Sequence, residues 1–172
     1  MRVVPALGCA PDGCYAKAMF VLRDAIASDC QSLTALCMRS KAHWGYDSTF
    51  MELSRSVLTV TEATLREYPT RVAVAGQRLV GVVATSMTEP DEAELELLFV
   101  DPPSMGQGVG RLLLADALTR LANLGCARLH ILSDPCAEPF YLRMGARREG
   151  LRPSDAIPGR MLPFLLLHIA RG

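Results

Sequence analysis

The sequence predicts an α/β (α+β) domain: a mixed, mostly antiparallel sheet of six to seven strands with helices on both faces. Three observations predict it. Three apolar segments between Arg71 and Val100 follow one another across short polar turns, as consecutive antiparallel strands do. The third runs without a gap into a glycine loop and a leucine-rich helix, with an apolar strand beyond; a helix crossing between them makes those two strands parallel. Two more strand-like segments near the C-terminus complete the sheet.

Composition narrows the class. A chain of 172 residues, half of them hydrophobic, suits one domain with a sizeable core. Lys plus Arg and Asp plus Glu number 18 each, so no global field draws nucleic acid or an anionic membrane. No apolar run reaches the roughly 18 residues of a membrane span. The apolar core of Met1–Ala10 is too short for a signal peptide and is broken by Pro5 and Gly8. Residues 1–18 therefore read as a loose extension and 19–172 as one domain. The six cysteines (Cys9, Cys14, Cys30, Cys37, Cys126 and Cys136) show no CxxC spacing and little histidine support. That argues against a metal site or a disulfide framework and for reduced thiols in a cytoplasmic protein.

The elements follow in order. Phe20–Ala25 is a short strand, and Ser28-Asp29 is positioned to cap a helix running to about Met38, with Ile26, Leu33, Leu36 and Cys37 for its buried face. Ser40–Asp47, a mix of aromatic and polar residues around Gly45, reads as a loop lining a site. Asp47 or Ser48 suits the cap of a second helix and Thr61 that of a third. Arg71–Ala75 and Leu79–Thr85 form a hairpin across Gly76-Gln77-Arg78, and Glu89-Pro90-Asp91 turns the chain into the strand Ala93–Val100. From Gly108 to Leu124, residues Leu113, Leu114, Ala117, Leu118, Leu121 and Leu124 share one helix face, opposite Arg111, Asp116, Thr119, Arg120 and Asn123; Gly125 ends the helix. Arg128–Leu132 is the parallel strand. Pro139–Met144 is a short helix with Pro139 in its first turn. Ala146–Gly150 and Met161–Ile169 are the last strands, separated by a loop holding Ser154 and Pro158-Gly-Arg160.

The stretch Glu94–Tyr141 carries the chemistry. A strand, a loop with Gly106, Gly108 and Gly110, and a helix start together present unpaired backbone N–H groups to an anion, and the glycines let a phosphate approach closely. It is not a nucleotide P-loop, because Arg111-Leu112 stands where Lys-[Ser/Thr] belongs. Nor is it a dinucleotide fingerprint, because Arg111 takes the third glycine position. The segment Met105-Gly-Gln-Gly108-Val-Gly110 resembles the pyrophosphate loop Gln/Arg-x-x-Gly-x-Gly/Ala of the GNAT superfamily of N-acetyltransferases. The preceding Leu97-Leu-Phe-Val100-Asp-Pro102 and the later Ala137-Glu-Pro-Phe140-Tyr141-x-x-Met144-Gly145-Ala146 are similar to its flanking coenzyme A segments. The likeness runs over about residues 20–170 and departs at Met105, where the family usually has Arg or Gln. Backbone amides dominate such a loop, so the departure costs little.

The resemblance implies a GNAT-like sheet and acetyl transfer from acetyl-CoA, as donor substrate and without a metal, to a primary amine on a small molecule or protein, by direct attack in a ternary complex. Leu98, Phe99 and Val100 would pair with the pantetheine arm, and Met105, Gly106, Gln107, Gly108, Val109, Gly110 and Arg111 would hold the pyrophosphate. Tyr141 would protonate the departing thiolate; its plain alternative is a packed helix tyrosine. Glu94 and Glu96 alternate with Leu95 and Leu97, which puts both carboxylates on one strand face. Either could take the amine proton, Glu94 matching the family position better, or both could be a solvated face. His43, Trp44, Tyr46 and Arg160 are the residues with something to offer an acceptor, against packing or surface roles. Cys126 and Cys136 lack the pairing of a nucleophile. The rival function is a non-catalytic sensor or regulatory module binding CoA or acyl-CoA. The partners expected are an amine of unknown identity, with a homodimer left open, and no nucleic acid and no membrane.

Overall fold

A computed structural model describes residues 20–170; the expected N-terminal extension, with Cys9 and Cys14, lies outside the described residues. The strands are β1 (Val21–Asp24), β2 (Thr70–Ala75), β3 (Arg78–Glu89), β4 (Glu92–Val100), β5 (Arg128–Leu132), β6 (Arg147–Pro153) and β7 (Met161–His168). They form one seven-stranded sheet in the order β1-β2-β3-β4-β5-β7-β6. Every pairing is antiparallel except β4 with β5, where the expected helix crosses over.

Helices cover both faces. On one lie α1 (Cys30–Ala42), α2 (Ser48–Leu53), α3 (Arg55–Leu58) and α4 (Glu62–Glu67); the other carries α5 (Val109–Asn123) and α6 (Glu138–Arg143). Leu33, Leu36 and Cys37 of α1 pack with Leu58, Val72, Val82 and Leu97. Val109, Leu113 and Ala117 of α5 pack with Val80 and Val83, and Leu114 and Leu121 with Leu129, Ile131 and Leu165. Each buried Leu or Val contributes about 2 kcal/mol of transfer free energy. At Gly81 in β3, a Cβ would stand 2.7 Å from Leu113 Cδ1 and 2.9 Å from Val109 Cγ1. Only glycine lets the first turns of α5 lie this close to the sheet.

Asp47 caps α2 by accepting from the Phe50 N–H at 2.8 Å, and Thr61 caps α4, as expected. At α1 the N-cap is Asp29, within the expected Ser28-Asp29 pair, but the bonding differs. Asp29 makes no cap bond there; its carboxylate takes a forked pair from Arg23 (2.6 and 2.9 Å) and the Ile26 N–H. Ile26 precedes the helix and is 56% exposed rather than part of the core. The helix also runs past Met38 through Ser40–Ala42, which were expected in the loop. Ser40 is buried there, and Arg39 and Lys41, favoured in a last turn by the helix dipole, reach the carboxylates of Asp101 and Asp134 in distant loops. Leu124, expected on the buried face of α5, is 65% exposed because the helix has ended at Asn123.

No helix of the described residues is long and apolar enough to cross a membrane, and Cys30, Cys37, Cys126 and Cys136 are free thiols.

Candidate active site

The site begins where two strands part. Pairing between β4 and β5 covers Glu92–Glu94 with Arg128–His130 and goes no further. Beyond it, Leu95–Val100 are bonded to β3 on one side and open on the other. A β-bulge accompanies the parting: Thr85 faces Leu95 and Ala84 faces Leu97, leaving Glu96 as the extra residue. The bulge corrects the expected alternation. Leu95 and Leu98 pack towards α5, whereas Leu97 and Phe99 pack towards α1, so Leu95 and Leu97 lie on opposite faces. Two cavities of about 500 and 510 Å³ adjoin the gap and share Lys41, Leu95, Glu96, Phe99, Leu132 and Leu162.

One cavity is lined by the glycine loop. Gly106 (φ +75°) and Gly108 (φ +86°) are in the left-handed region, and Gly108 is the N-cap of α5. This turn aims successive amides outward. Among the described residues, no N–H from Gly106 to Arg111 has a hydrogen-bond partner; the first helical bond is Leu112 N–H to Gly108 O at 2.9 Å. Six free donors in a row at the positive end of a 15-residue helix form a cradle for a polyanion. Leu98, Phe99, Val100, Met105, Gly106, Gly108, Val109, Gly110 and Arg111 all line this cavity; the Gln107 side chain does not, and turns back to the Pro103 carbonyl at 2.8 Å. Arg143, missed in the sequence reading, also lines this cavity.

Tyr141 of α6 lines the same cavity and is 6% exposed. Its ring packs edge-on against Phe140, and among the described residues its hydroxyl has no hydrogen-bond partner. Burial pushes the phenol well above its ordinary pKa, and the Asp134 charge adds to the shift. It therefore stays protonated at neutral pH, able to donate.

The second cavity takes its walls from β4, β5, the α3 turn and the β6–β7 segment, and both Glu94 and Glu96 line it. Glu96 also lines the loop cavity and accepts from Ser86 Oγ at 2.5 Å; Glu94 has no hydrogen-bond partner among the described residues. The four residues expected to meet an acceptor separate. Trp44 lines the loop cavity, Arg160 the second, and His43 and Tyr46 line neither.

Tyr46 and Arg160 instead join a polar hub around Asp134, whose side chain is 11% exposed. Asp134 accepts from Lys41 Nζ at 2.6 Å, from Tyr46 Oη at 2.9 and 3.0 Å, and from the Cys136 N–H at 2.9 Å. Arg160 donates to Tyr46 Oη at 2.7 Å and lies 3.4 Å from Asp134. Its guanidinium sits 4.6 Å above the Phe50 ring, which stacks on Tyr46 at 4.0 Å. Burial works against the Asp134 carboxylate, yet the bonds from Lys41 and Cys136 hold its pKa below the ordinary value. Burial also pushes the Tyr46 hydroxyl up to about 12, with Asp134 reinforcing the shift. The hub joins the end of α1, the following loop and the β6–β7 loop to the turn that starts α6. No spacing in the sequence announces these four elements as neighbours.

The comparisons agree with this architecture. A family model described as an acetyltransferase (GNAT) domain matches residues 48–153, more than half of the chain. The fold is similar to that of the PaiA N-acetyltransferase of Thermoplasma acidophilum in complex with coenzyme A, with TM-score 0.73 and 17% identity over 87% of this chain and 98% of that one. It is also similar to the ribosomal-protein-S18-alanine N-acetyltransferase of Escherichia coli, with TM-score 0.64 and 21% identity over 88% and 95%. A phosphinothricin acetyltransferase of Sinorhizobium meliloti in complex with AcCoA has TM-score 0.64 and 22% identity over 89% and 90%. An uncharacterised Mycobacterium leprae protein is 38% identical over 74 residues, and the chain's match spans 20% of that protein's length. With the domain model covering α2 to α6, the splayed strands and the glycine loop together, the chain belongs to the GNAT family of acetyltransferases.

Proposed function

We propose that the protein transfers an acetyl group from acetyl-CoA to a primary amine. The observation that carries this reading is the run of six unpartnered amides, Gly106–Arg111, beside the open edge of β4. The loop suits the pyrophosphate, with Arg111 and Arg143 adding charge, and the unpaired Leu98–Val100 backbone suits the amide-bearing pantetheine arm. Two of the structurally similar proteins hold coenzyme A or AcCoA, which supports the same donor here. Their named acceptors differ, so none carries over.

In the proposed reaction the amine nitrogen attacks the thioester carbonyl carbon from the second cavity, forming the C–N bond as the C–S bond breaks. The amine proton leaves towards Glu94, directly or through water. The thiolate takes the Tyr141 proton, and acetamide and thiol are the products. Glu96, with one oxygen already accepting from Ser86, is the weaker acceptor.

Thiol release followed in the presence of acetyl-CoA and a broad amine panel tests the reading, with calorimetric CoA binding measured alongside. Amine-dependent release is expected. Tight CoA binding with no release on any amine would favour the sensor; no CoA binding would end both.

A further inference from the structure

We infer that the amine acceptor also carries an anionic group, held by Arg152. The inference rests on the acetyl-transfer reading for the reacting end of the ligand, and on the second cavity's own charges for the far end. Nine of the fourteen arginines in the described residues are ion-paired with a carboxylate; Arg78, Arg111, Arg143, Arg147 and Arg152 are not. Of these five, Arg111 and Arg143 line the cavity that suits phosphates, and Arg152 alone lines the other. The remaining cations of that cavity, Lys41 and Arg160, are committed to Asp134.

Arg152 is also held in place. Its guanidinium lies 3.4 Å above the Phe164 ring, and the His130 ring lies parallel to Phe164 at 5.5 Å and 8°. His130 is fixed in turn by Glu92, whose carboxylate can only accept, so the Nε2 facing it at 3.1 Å carries the proton. A stacked guanidinium keeps its in-plane N–H fork free, and a fork ordered beforehand loses little entropy on gripping an oxyanion. Asp155, in the loop that follows β6 and lining the same cavity, forms no ion pair with it.

The other end of the row is Glu94. Register pairs Glu94 with His130, Leu132 with Phe164 and Arg152 with Leu162, so Glu94, His130, Phe164 and Arg152 cross four neighbouring strands. All four line the one cavity. A free carboxylate on β4 and a free guanidinium on β6, three strand spacings or roughly 14 Å apart at the backbone, flank an aromatic floor. This suits a small molecule with an ammonium at one end and a carboxylate or another oxyanion at the other.

The test pairs each common amino acid and ω-amino acid with its own carboxamide, and adds aminoalkyl phosphates and diamines. Thiol release and calorimetric binding to the CoA-saturated protein are both measured. An amino acid or aminoalkyl phosphate should be preferred over its uncharged partner by at least tenfold, and the better arm identifies the oxyanion. In Arg152→Gln that preference should fall about 10- to 100-fold, with Arg152→Lys intermediate because it keeps charge without the fork. Arg152 is exposed on edge strand β6, so the variants should keep the wild-type far-UV spectrum. Carboxamides or diamines equal to the anionic amines, or a preference unchanged in Arg152→Gln, would overturn the inference while leaving acetyl transfer standing. Arg152-dependent binding of an anionic amine without thiol release would uphold it and sink the transferase reading instead.

Discussion

Around the loop cavity, the proposed donor side, the unpartnered polar groups are mainly backbone amides from one unbroken segment, Gly106–Arg111. Around the acceptor cavity they are side chains from β4, β5, β6 and β7 and the loops between them. The first arrangement needs only glycines at two left-handed positions and a helix to follow. The second exists only once residues such as Glu94 and Arg152, or Lys41 and Asp134, have been brought together by the sheet. The difference teaches where substitutions should act. Changes on the donor side should be severe and independent of the amine; changes on the acceptor side should be graded and depend on it.

The largest effect should come from Gly108→Glu. The residue sits at φ +86°, which costs an L side chain about 1–2 kcal/mol, and the new carboxylate would occupy and repel the phosphate position. CoA binding by calorimetry should be lost, with circular dichroism confirming the fold. Unaltered affinity would mean that the phosphates lie elsewhere and the donor side is misassigned.

Next comes Tyr141→Phe. It removes one oxygen from a buried ring and leaves the packing against Phe140 intact. Turnover should fall about 10²- to 10⁴-fold with CoA affinity unchanged, because a general acid acts only in the transition state. Equal kcat across pH would show the tyrosine to be structural and water to be the acid.

Asp134→Asn should separate stability from chemistry. Lys41, with 15% of its side chain exposed, would be left without its carboxylate partner, and the hub would lose its centre. About 2 kcal/mol should be lost, less than for a fully buried pair because both groups keep some solvent contact. The pH dependence follows from the lowered folded pKa of Asp134. The carboxylate's contribution is fully present above the unfolded value of about 4 and fades as pH falls through the folded one. The wild-type advantage in urea midpoint over Asp134→Asn should therefore hold at pH 7 and shrink below about pH 4. An advantage that persisted undiminished at low pH would remove the ionic explanation.

The smallest and most discriminating effect is the carboxylate pair. Glu94→Gln should lower kcat/KM about tenfold or more and flatten its rise with pH. Glu96→Gln should do less, its carboxylate already being bonded to Ser86. If Glu96→Gln proves the more damaging, the bulge residue shared by both cavities is the base, and the line between donor and acceptor sides runs through it.

Read from the chain alone, Glu94–Leu124 was legible because its determinants are local. Alternating apolar residues make a strand, glycines permit the left-handed turn, and leucines at helical spacing make α5. The caps at Asp47 and Thr61 were legible for the same reason, each depending on a side chain and an amide three residues apart. The bulge at Glu96 was not, because strand period two continues through Leu95 and Leu97, and only the register against Thr85 and Ala84 reveals the extra residue. The start of α1 was legible at Asp29, but its cap bond was not, because Arg23 across the turn and the Ile26 N–H claim the carboxylate.

The sequence by itself thus determined the sheet-and-helix order, the single parallel crossover and the anion cradle, all of which follow from residues within a helical turn or a strand length of one another. Tertiary structure alone decided which side chains line the second cavity and which of them are left without a partner among the described residues. It withdrew Tyr46 and Arg160 into the Asp134 hub, left His43 outside both cavities, and set Arg152 on the Phe164–His130 stack. The physical reason is that a side chain is committed or free according to the charge it meets. Asp134 lies 93 residues from Lys41 and 26 from Arg160, distances over which only the folded sheet brings charges together.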